Sequence, residues 1–168
     1  MSENPNLTDI DEEMEDTMEG KYLIFRIGDE EYGIAIRHVN DIIGIQKITE
    51  LPDMPDYVKG VINLRGKVIP VIDIRLRFEL EEREYNERTC IVNVSIRDTA
   101  VGLIVDSVSE VISMSPEQLS PPPKIQKATG SRFISGLGKV GEDVKIILDI
   151  GRLLFEEELE MISESIVD

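Results

Sequence analysis

Residues 60–73 read GVINLRGKVIPVID, the stretch whose pattern indicates most directly how the chain folds. Two apolar segments, rich in valine and isoleucine, flank the pair Arg65-Gly66. Glycine readily adopts the positive φ that tight two-residue turns require, so the pattern predicts a β-hairpin that turns at Arg65-Gly66. Asn63 and Arg65 would then lie at the tip of a hairpin whose strands are otherwise built for burial.

The chain repeats this arrangement of short, β-branched segments. An offset of 69 places residues 33–36 (GIAI) on residues 102–105 (GLIV), and an offset of 76 places residues 71–74 (VIDI) on residues 147–150 (ILDI). Two copies of a five-strand unit predict a mainly β protein made of two small barrels or sandwiches. Each unit is too small to bury much core alone, so we expect the two to share an interface.

The repeat also predicts the domain boundaries. We expect a disordered acidic tail at residues 1–19, one domain at residues 20–160, and an acidic helix with a fraying end at residues 156–168. Inside the domain, the two barrels are predicted at about residues 21–84 and 85–155.

The C-terminal segment has a helical pattern. Its apolar residues recur at spacings of three and four and so form one stripe: Phe155, Leu159, Ile162 and Ile166. We expect this stripe to pack on a barrel, chiefly through Phe155 and Leu159.

The charge of −16 lies mainly at the two ends of the chain. Residues 1–20 hold eight acidic side chains and residues 156–168 hold six, which leaves 20 acidic against 18 basic side chains between them. An acidic chain without a basic stripe is a poor binder of nucleic acid or of anionic membranes. With one cysteine, no long apolar run and no signal-like start, we expect a cytoplasmic protein.

Three candidate chemical sites have ordinary structural interpretations. Residues 136–141 (GLGKVG) match G-x-G-x-x-G, but a strand-like segment follows where a nucleotide site needs a helix. Asp73 and Asp149 occupy equivalent positions in the two copies, and capping of a helix start is a better explanation than a hydrolase dyad. His38 is the single histidine, which argues against a zinc site. No catalytic, cofactor or metal site is predicted.

Asn63 and Arg65 favour a different function. The second copy has Lys139 and Gly141 at these positions, so the fold does not require an asparagine and an arginine there. The arginine fork suits carboxylates and carbonyls of a partner. We therefore interpret the hairpin tip as a partner-binding surface.

Four longer segments, in this order, carry a resemblance to a known family. They are EEYGIAIRHVNDII (30–43), KGVINLRGKVIPVIDIR (59–75), VGLIVDSVSEVISM (101–114) and ISGLGKVGEDVKIILDIGRLL (134–154). Together they resemble the CheW family of bacterial chemotaxis coupling proteins over about residues 20–160. The resemblance implies two SH3-like five-stranded barrels around a joint core.

The resemblance also implies the function. CheW-like proteins are non-enzymatic adaptors that join the cytoplasmic tips of chemoreceptors to the regulatory domain of the CheA histidine kinase. They associate with membrane receptor arrays through these partners and use no cofactor. The receptor groove is expected to include Val39, Asp41, Gly60, Asn63, Leu64 and Arg65, whereas the kinase contacts are not assigned to residues. Asp41 stands where the family often has glutamate.

Two alternatives stay open from the sequence. The same module can act as a regulatory domain with another kinase or with a receiver partner. A hydrolase that uses Asp73 and Asp149 is a more remote alternative, and it requires the two carboxylates to be nearly in contact.

Overall fold

The computed structural model describes residues 19–122 and 132–166, so nearly all of the predicted tail at residues 1–19 lies outside the described residues. The strands in this part are β1 (Lys21–Ile27), β2 (Glu30–Ala35), β3 (Val39–Gly44), β4 (Val58–Leu64), β5 (Lys67–Asp73), β6 (Cys90–Ile96), β7 (Thr99–Val105), β8 (Ser107–Ser113), β9 (Leu119–Ser120), β10 (Ile134–Val140) and β11 (Asp143–Leu148). The α-helices are α1 (Ile74–Arg77), α2 (Ile150–Leu153) and α3 (Glu156–Ile166), and single turns of 3-10 helix occupy Ile36–His38 and Pro116–Gln118.

The strands form two sheets that close as small barrels. The first sheet has the order β8-β1-β2-β11-β10-β9, and the second has the order β3-β6-β7-β5-β4. In the first, β9 pairs with β10 after the chain leaves β8. In the second, Thr49 pairs with Val61 of β4 after the chain leaves β3. The predicted mainly β fold with two SH3-like barrels, short helices and a C-terminal helix is confirmed.

The predicted division into barrels at residues 21–84 and 85–155 is wrong. The second barrel is built from residues 39–105, whereas the first combines residues 21–35 with residues 107–148. The first hairpin of each copy therefore lies in the barrel that contains the last strands of the other copy. The repeat shows which segments are equivalent, but pairing within a copy and pairing between copies produce the same sequence pattern.

A joint core lies between the barrels, as the shared interface predicted. Buried side chains of the first sheet, such as Phe25 and Ile34, pack in one cluster with Val92 and Leu103 of the second sheet. A smaller cluster fills the inside of the second barrel, with Ile62, Ile69, Val71, Ile91 and Ile104. Most apolar burial is thus common to both copies, which makes them one folding unit.

The C-terminal helix packs on this core through the predicted stripe, except for Phe155. Leu159 and Ile162 are buried, but Phe155 is 43% exposed. Phe155 precedes α3, and its N–H donates to Glu158 Oε1 (2.9 Å). Because Phe155 lies outside the helix, its side chain departs from the apolar stripe. Leu159 and Ile162 supply the buried contacts of the helix.

Candidate functional site

The hairpin of β4 and β5 turns at Arg65-Gly66, as predicted. Both residues have positive φ, +53° for Arg65 and +86° for Gly66. Asn63 Oδ1 accepts a hydrogen bond from the N–H of Gly66 (2.9 Å), which fixes the turn from inside. A non-glycine residue with positive φ is uncommon, and such strain occurs often at functional positions. Arg65 is therefore held in a conformation that asparagine or glycine would adopt more easily.

An ion pair joins the hairpin tip to β3. Arg65 Nη2 donates to Asp41 Oδ1 (3.0 Å), and Asp41 Oδ2 accepts from the amide of Asn93 on β6 (3.2 Å). Hydrogen bonds from Arg65 and then from Asn93 lower the pKa of Asp41, despite some opposing effect of burial. The Arg65 side chain is 75% exposed, so most of its guanidinium faces solvent while one N–H is held by Asp41.

The ion pair borders a cleft of about 460 Å³ at the mouth of the second barrel. Leu64 and Arg65 line the cleft from the hairpin, and Asn93 lines it from β6. Exposed apolar side chains lie at neighbouring positions of the same strands, Ile42 next to Asp41 in β3 and Val68 opposite Asn63 in the hairpin. The surface thus combines oriented polar groups with apolar area, a combination that is common in protein interfaces.

The structure brings together most of the residues predicted for a partner site. Asp41, Asn63, Leu64 and Arg65 lie at the hairpin tip and the adjoining strand, as described above. Val39 is half-buried at the start of β3, where it pairs with Val94 and packs against the joint core.

Gly60 has a clear scaffold role. It is buried with φ of +143°, and a β-carbon at this position would lie 2.0 Å from the backbone oxygen of Thr49. Its equivalent, Gly136, approaches the backbone oxygen of Ser120 in the same way, at 2.8 Å. These glycines let the closing segment of each barrel reach its partner strand.

Asn93 belongs to this site although the sequence did not indicate it. This side chain is only 6% exposed and faces the inside of the barrel mouth, directly opposite Asp41 in the β3–β6 pairing. The one hint in the sequence was an asparagine within the largely apolar segment CIVNVSI. The segment itself does not reveal which residue lies opposite the Asn93 amide.

Asp73 and Asp149 have the capping role that was predicted. Asp73 Oδ1 accepts from the N–H of Leu76 in α1 (3.3 Å), and Asp149 Oδ1 accepts from the N–H of Gly151 in α2 (2.9 Å). Asp73 Oδ2 also accepts from the hydroxyl of Tyr85 (2.7 Å). The two aspartates line separate pockets, so the geometry gives no support to a shared-proton dyad.

Two further observations concern the described part of the chain. Within residues 19–122 and 132–166, no three His, Cys, Asp or Glu side chains are grouped closely enough to hold a metal ion. No helix among these residues is both long enough and apolar enough to cross a membrane.

The structure thus has two barrels, a polar hairpin tip and two aspartates that cap helices, and comparison with known proteins identifies its family. Residues 21–158 match the family model described as a CheW-like domain. The chain is 38% identical over 147 residues to a chemotaxis protein CheW of Klebsiella aerogenes, covering 88% of this chain and 89% of that protein. It is 35% identical over 145 residues to CheW of Treponema pallidum, covering 83% and 84%.

A solved structure agrees with these relatives. The crystal structure of the scaffolding protein TtCheW from Thermoanaerobacter tengcongensis superimposes with a TM-score of 0.76 at 35% identity, covering 80% of this chain and 92% of that one. The chain belongs to the CheW family.

Proposed function

We propose that this protein is a non-enzymatic adaptor that couples the cytoplasmic tips of chemoreceptors to the regulatory domain of the CheA histidine kinase. Its place would be the cytoplasm, at receptor arrays that it reaches through its partners. Membership of the CheW family supports the adaptor role. The observation that carries the receptor contact is the exposed Arg65, held in a left-handed conformation and aimed by Asp41.

The receptor surface would be centred on the hairpin tip. Arg65 offers N–H donors beyond the one that Asp41 accepts, and the positive φ of the turn sets the direction in which its side chain leaves the backbone. Val68 is 51% exposed next to this tip and supplies apolar area for a helical partner. An arginine at the centre of an interface, surrounded by apolar contacts, is a frequent hot spot of binding.

The residues implied by the resemblance would have two kinds of role there. Asp41, Leu64 and Arg65 would touch or orient the receptor directly. Asn63 and Gly60 would act through the backbone, because Asn63 fixes the turn and Gly60 lies beneath Thr49. Val39 would contribute its half-buried side chain at the edge of the surface.

Both partners must bind at once for an adaptor, so the kinase domain would use a different face. A pull-down tests this arrangement with three purified components: this protein, the cytoplasmic signalling fragment of a chemoreceptor, and the CheA regulatory domain. Tagged receptor fragment is expected to retain the kinase domain in proportion to the amount of this protein added. The proposal fails if the two partners compete for this protein, or if it binds neither of them.

A further inference from the structure

Asn93 carries an unused hydrogen-bonding group beside the proposed receptor surface. Its Oδ1 is buried and accepts no hydrogen bond from any residue in the described ranges 19–122 and 132–166. Flipping the side-chain amide of Asn93 would be unfavourable. Its Nδ2 donates to Asp41 Oδ2 (3.2 Å), and after a flip Oδ1 would face the carboxylate instead. A buried acceptor without a donor costs free energy, which a partner that supplies a donor would recover.

The position of Asn93 in the barrel places its side chain at the cleft. Ile91 and Asn93 are two residues apart on β6 and share one face, and Ile91 belongs to the cluster inside the barrel. Asn93 therefore continues the inner face outward to the mouth, where it lines the cleft together with Arg65. At the end of this inner face the paired residues are therefore polar, Asp41 and Asn93, and not apolar.

The charges around the cleft limit what it can hold. Arg65 and Lys67 are balanced by Asp98, which also lines the cleft, and by Asp41 behind Arg65. A carboxylate would meet two aspartates and the acceptor Oδ1, and a cation would meet two positive side chains. An uncharged group with both a donor and an acceptor meets neither difficulty.

We infer that the cleft binds a carboxamide side chain, from an asparagine or glutamine on the receptor tip. Its NH₂ donates to Asn93 Oδ1, and its carbonyl accepts from an N–H of Arg65 that Asp41 does not use. Oδ1 is closed off in the unbound protein, so the cleft has to open for this contact. Arg65 is free to move for this purpose, because its exposed side chain is held by one hydrogen bond to Asp41. The inference rests on the proposed function, since it places the receptor at this surface.

The test uses Asn93→Leu, which keeps the branched shape and removes both polar atoms. Affinity for the receptor signalling fragment is measured by titration calorimetry, and the thermal midpoint by calorimetric scanning. Binding is expected to weaken about tenfold, the usual effect of losing one hydrogen bond to a buried group. The thermal midpoint is expected to change little, because the variant removes the unsatisfied acceptor Oδ1 and also the hydrogen bond from Nδ2 to Asp41, and these two effects oppose each other. Asn93→Val serves as a second variant with the β-branched side chain of its strand neighbours.

Two controls sharpen the result. Lys139→Ala changes an exposed residue of the other barrel, away from the cleft, and is expected to leave receptor affinity within about twofold. Each Asn and Gln of the receptor tip is then changed to Leu, and one of them is expected to be non-additive with Asn93→Leu. Additive effects at every receptor position would overturn the inference.

The outcomes separate this inference from the proposed function. If the wild-type protein does not bind the receptor fragment, both fail. If the wild type binds and both Asn93 variants bind equally well, the adaptor role stands and the carboxamide site is wrong. A lower thermal midpoint in both variants, with equal loss of receptor and kinase binding, would mean that Asn93 is structural and would also overturn the inference.

Discussion

Gly102 of β7 lies against Val71 of β5, so closely that a β-carbon on Gly102 would come within 2.7 Å of Val71 Cγ1. The equivalent pair in the other barrel is Gly33 of β2 and Ile147 of β11, where the corresponding distance is 3.0 Å. Both contacts lie in the parallel pairings that join the first hairpin of one copy to the last strand of the other. The exchange between copies therefore depends on the lack of a side chain at two glycines.

Gly102→Ala is expected to destabilise the fold by about 1–3 kcal/mol, since the new methyl group overpacks against Val71 and Ile91. The free energy of unfolding in urea measures the effect. Gly44→Ala is the matched control, because a β-carbon there has open space within 4 Å, and it should change stability little. Equal stability of the two variants would mean that the parallel pairing adjusts freely and does not depend on Gly102.

Arg65→Asn is expected to separate stability from binding. Asparagine tolerates the positive φ of this turn position better than arginine, and the ion pair to Asp41 that is lost is weak because Arg65 is largely exposed, so the hairpin should gain about 0.5–1 kcal/mol. Receptor affinity should fall at the same time, because the guanidinium is lost. Urea unfolding and titration with the receptor fragment measure the two effects. A variant that is less stable than the wild type would contradict a strained Arg65.

Tyr85→Phe is expected to cost about 1–3 kcal/mol, because it leaves a buried oxygen of Asp73 without its donor. Burial, and then the hydrogen bond to Asp73, raise the pKa of Tyr85, so its hydroxyl stays a donor across the working pH range. Tyr32→Phe is the control, since the Tyr32 ring stacks on Phe25 and its hydroxyl bonds no residue within the described ranges. If the two variants lose similar amounts of unfolding free energy, the loss comes from changed packing and not from the hydrogen bond to Asp73.

Asp106 predicts a specific dependence of stability on pH. It lies where the chain passes from β7 to β8, and it accepts hydrogen bonds from Arg75 Nη2 (2.8 Å) and from the N–H of Gly28 (2.7 Å). Burial alone would raise the pKa of Asp106, but Arg75 and Gly28 outweigh burial and lower it. A lowered folded pKa means that the stabilisation is complete above the ordinary value of 3.8 and is lost as the pH falls through the lowered value.

Asp106→Asn should therefore cost about 2 kcal/mol at pH 7, and this difference from the wild type should shrink below about pH 4. Urea unfolding at pH 7 and at pH 3 gives the comparison. Asp56→Asn, at an exposed position, should show no such difference. A difference that stays constant across this pH range would show that the Asp106 charge does not stabilise the fold.

The local features of the fold were predictable from the sequence. The turn at Arg65-Gly66 and the caps at Asp73 and Asp149 depend on neighbouring residues alone, and they are confirmed. Phe155 shows the limit of this approach, because a periodic stripe does not show where a helix begins. The helix begins at Glu156, so Phe155 precedes it and its side chain does not lie on the buried face.

Long-range features were not predictable in the same way. The hairpin exchange is invisible in the repeat, because equivalent strands have equivalent patterns whichever copy they pair with. Asp41 and Arg65 were both expected at a partner surface, but nothing in the sequence indicates that they bind each other across 24 residues. Asn93 was missed, because a buried polar residue shows its importance only when its neighbours are known.

The proposed receptor contact of Arg65 is tested most directly with Arg65→Ala. The affinity of this variant is measured separately for the receptor signalling fragment and for the CheA regulatory domain. Lys139→Ala is the matched control, since Lys139 is exposed near the equivalent hairpin tip of the other barrel. We predict that Arg65→Ala weakens receptor binding by about thirtyfold, the effect of losing about 2 kcal/mol, with kinase binding and the thermal midpoint nearly unchanged. Equal loss of both partners with a lower thermal midpoint, or unchanged receptor binding, would contradict it.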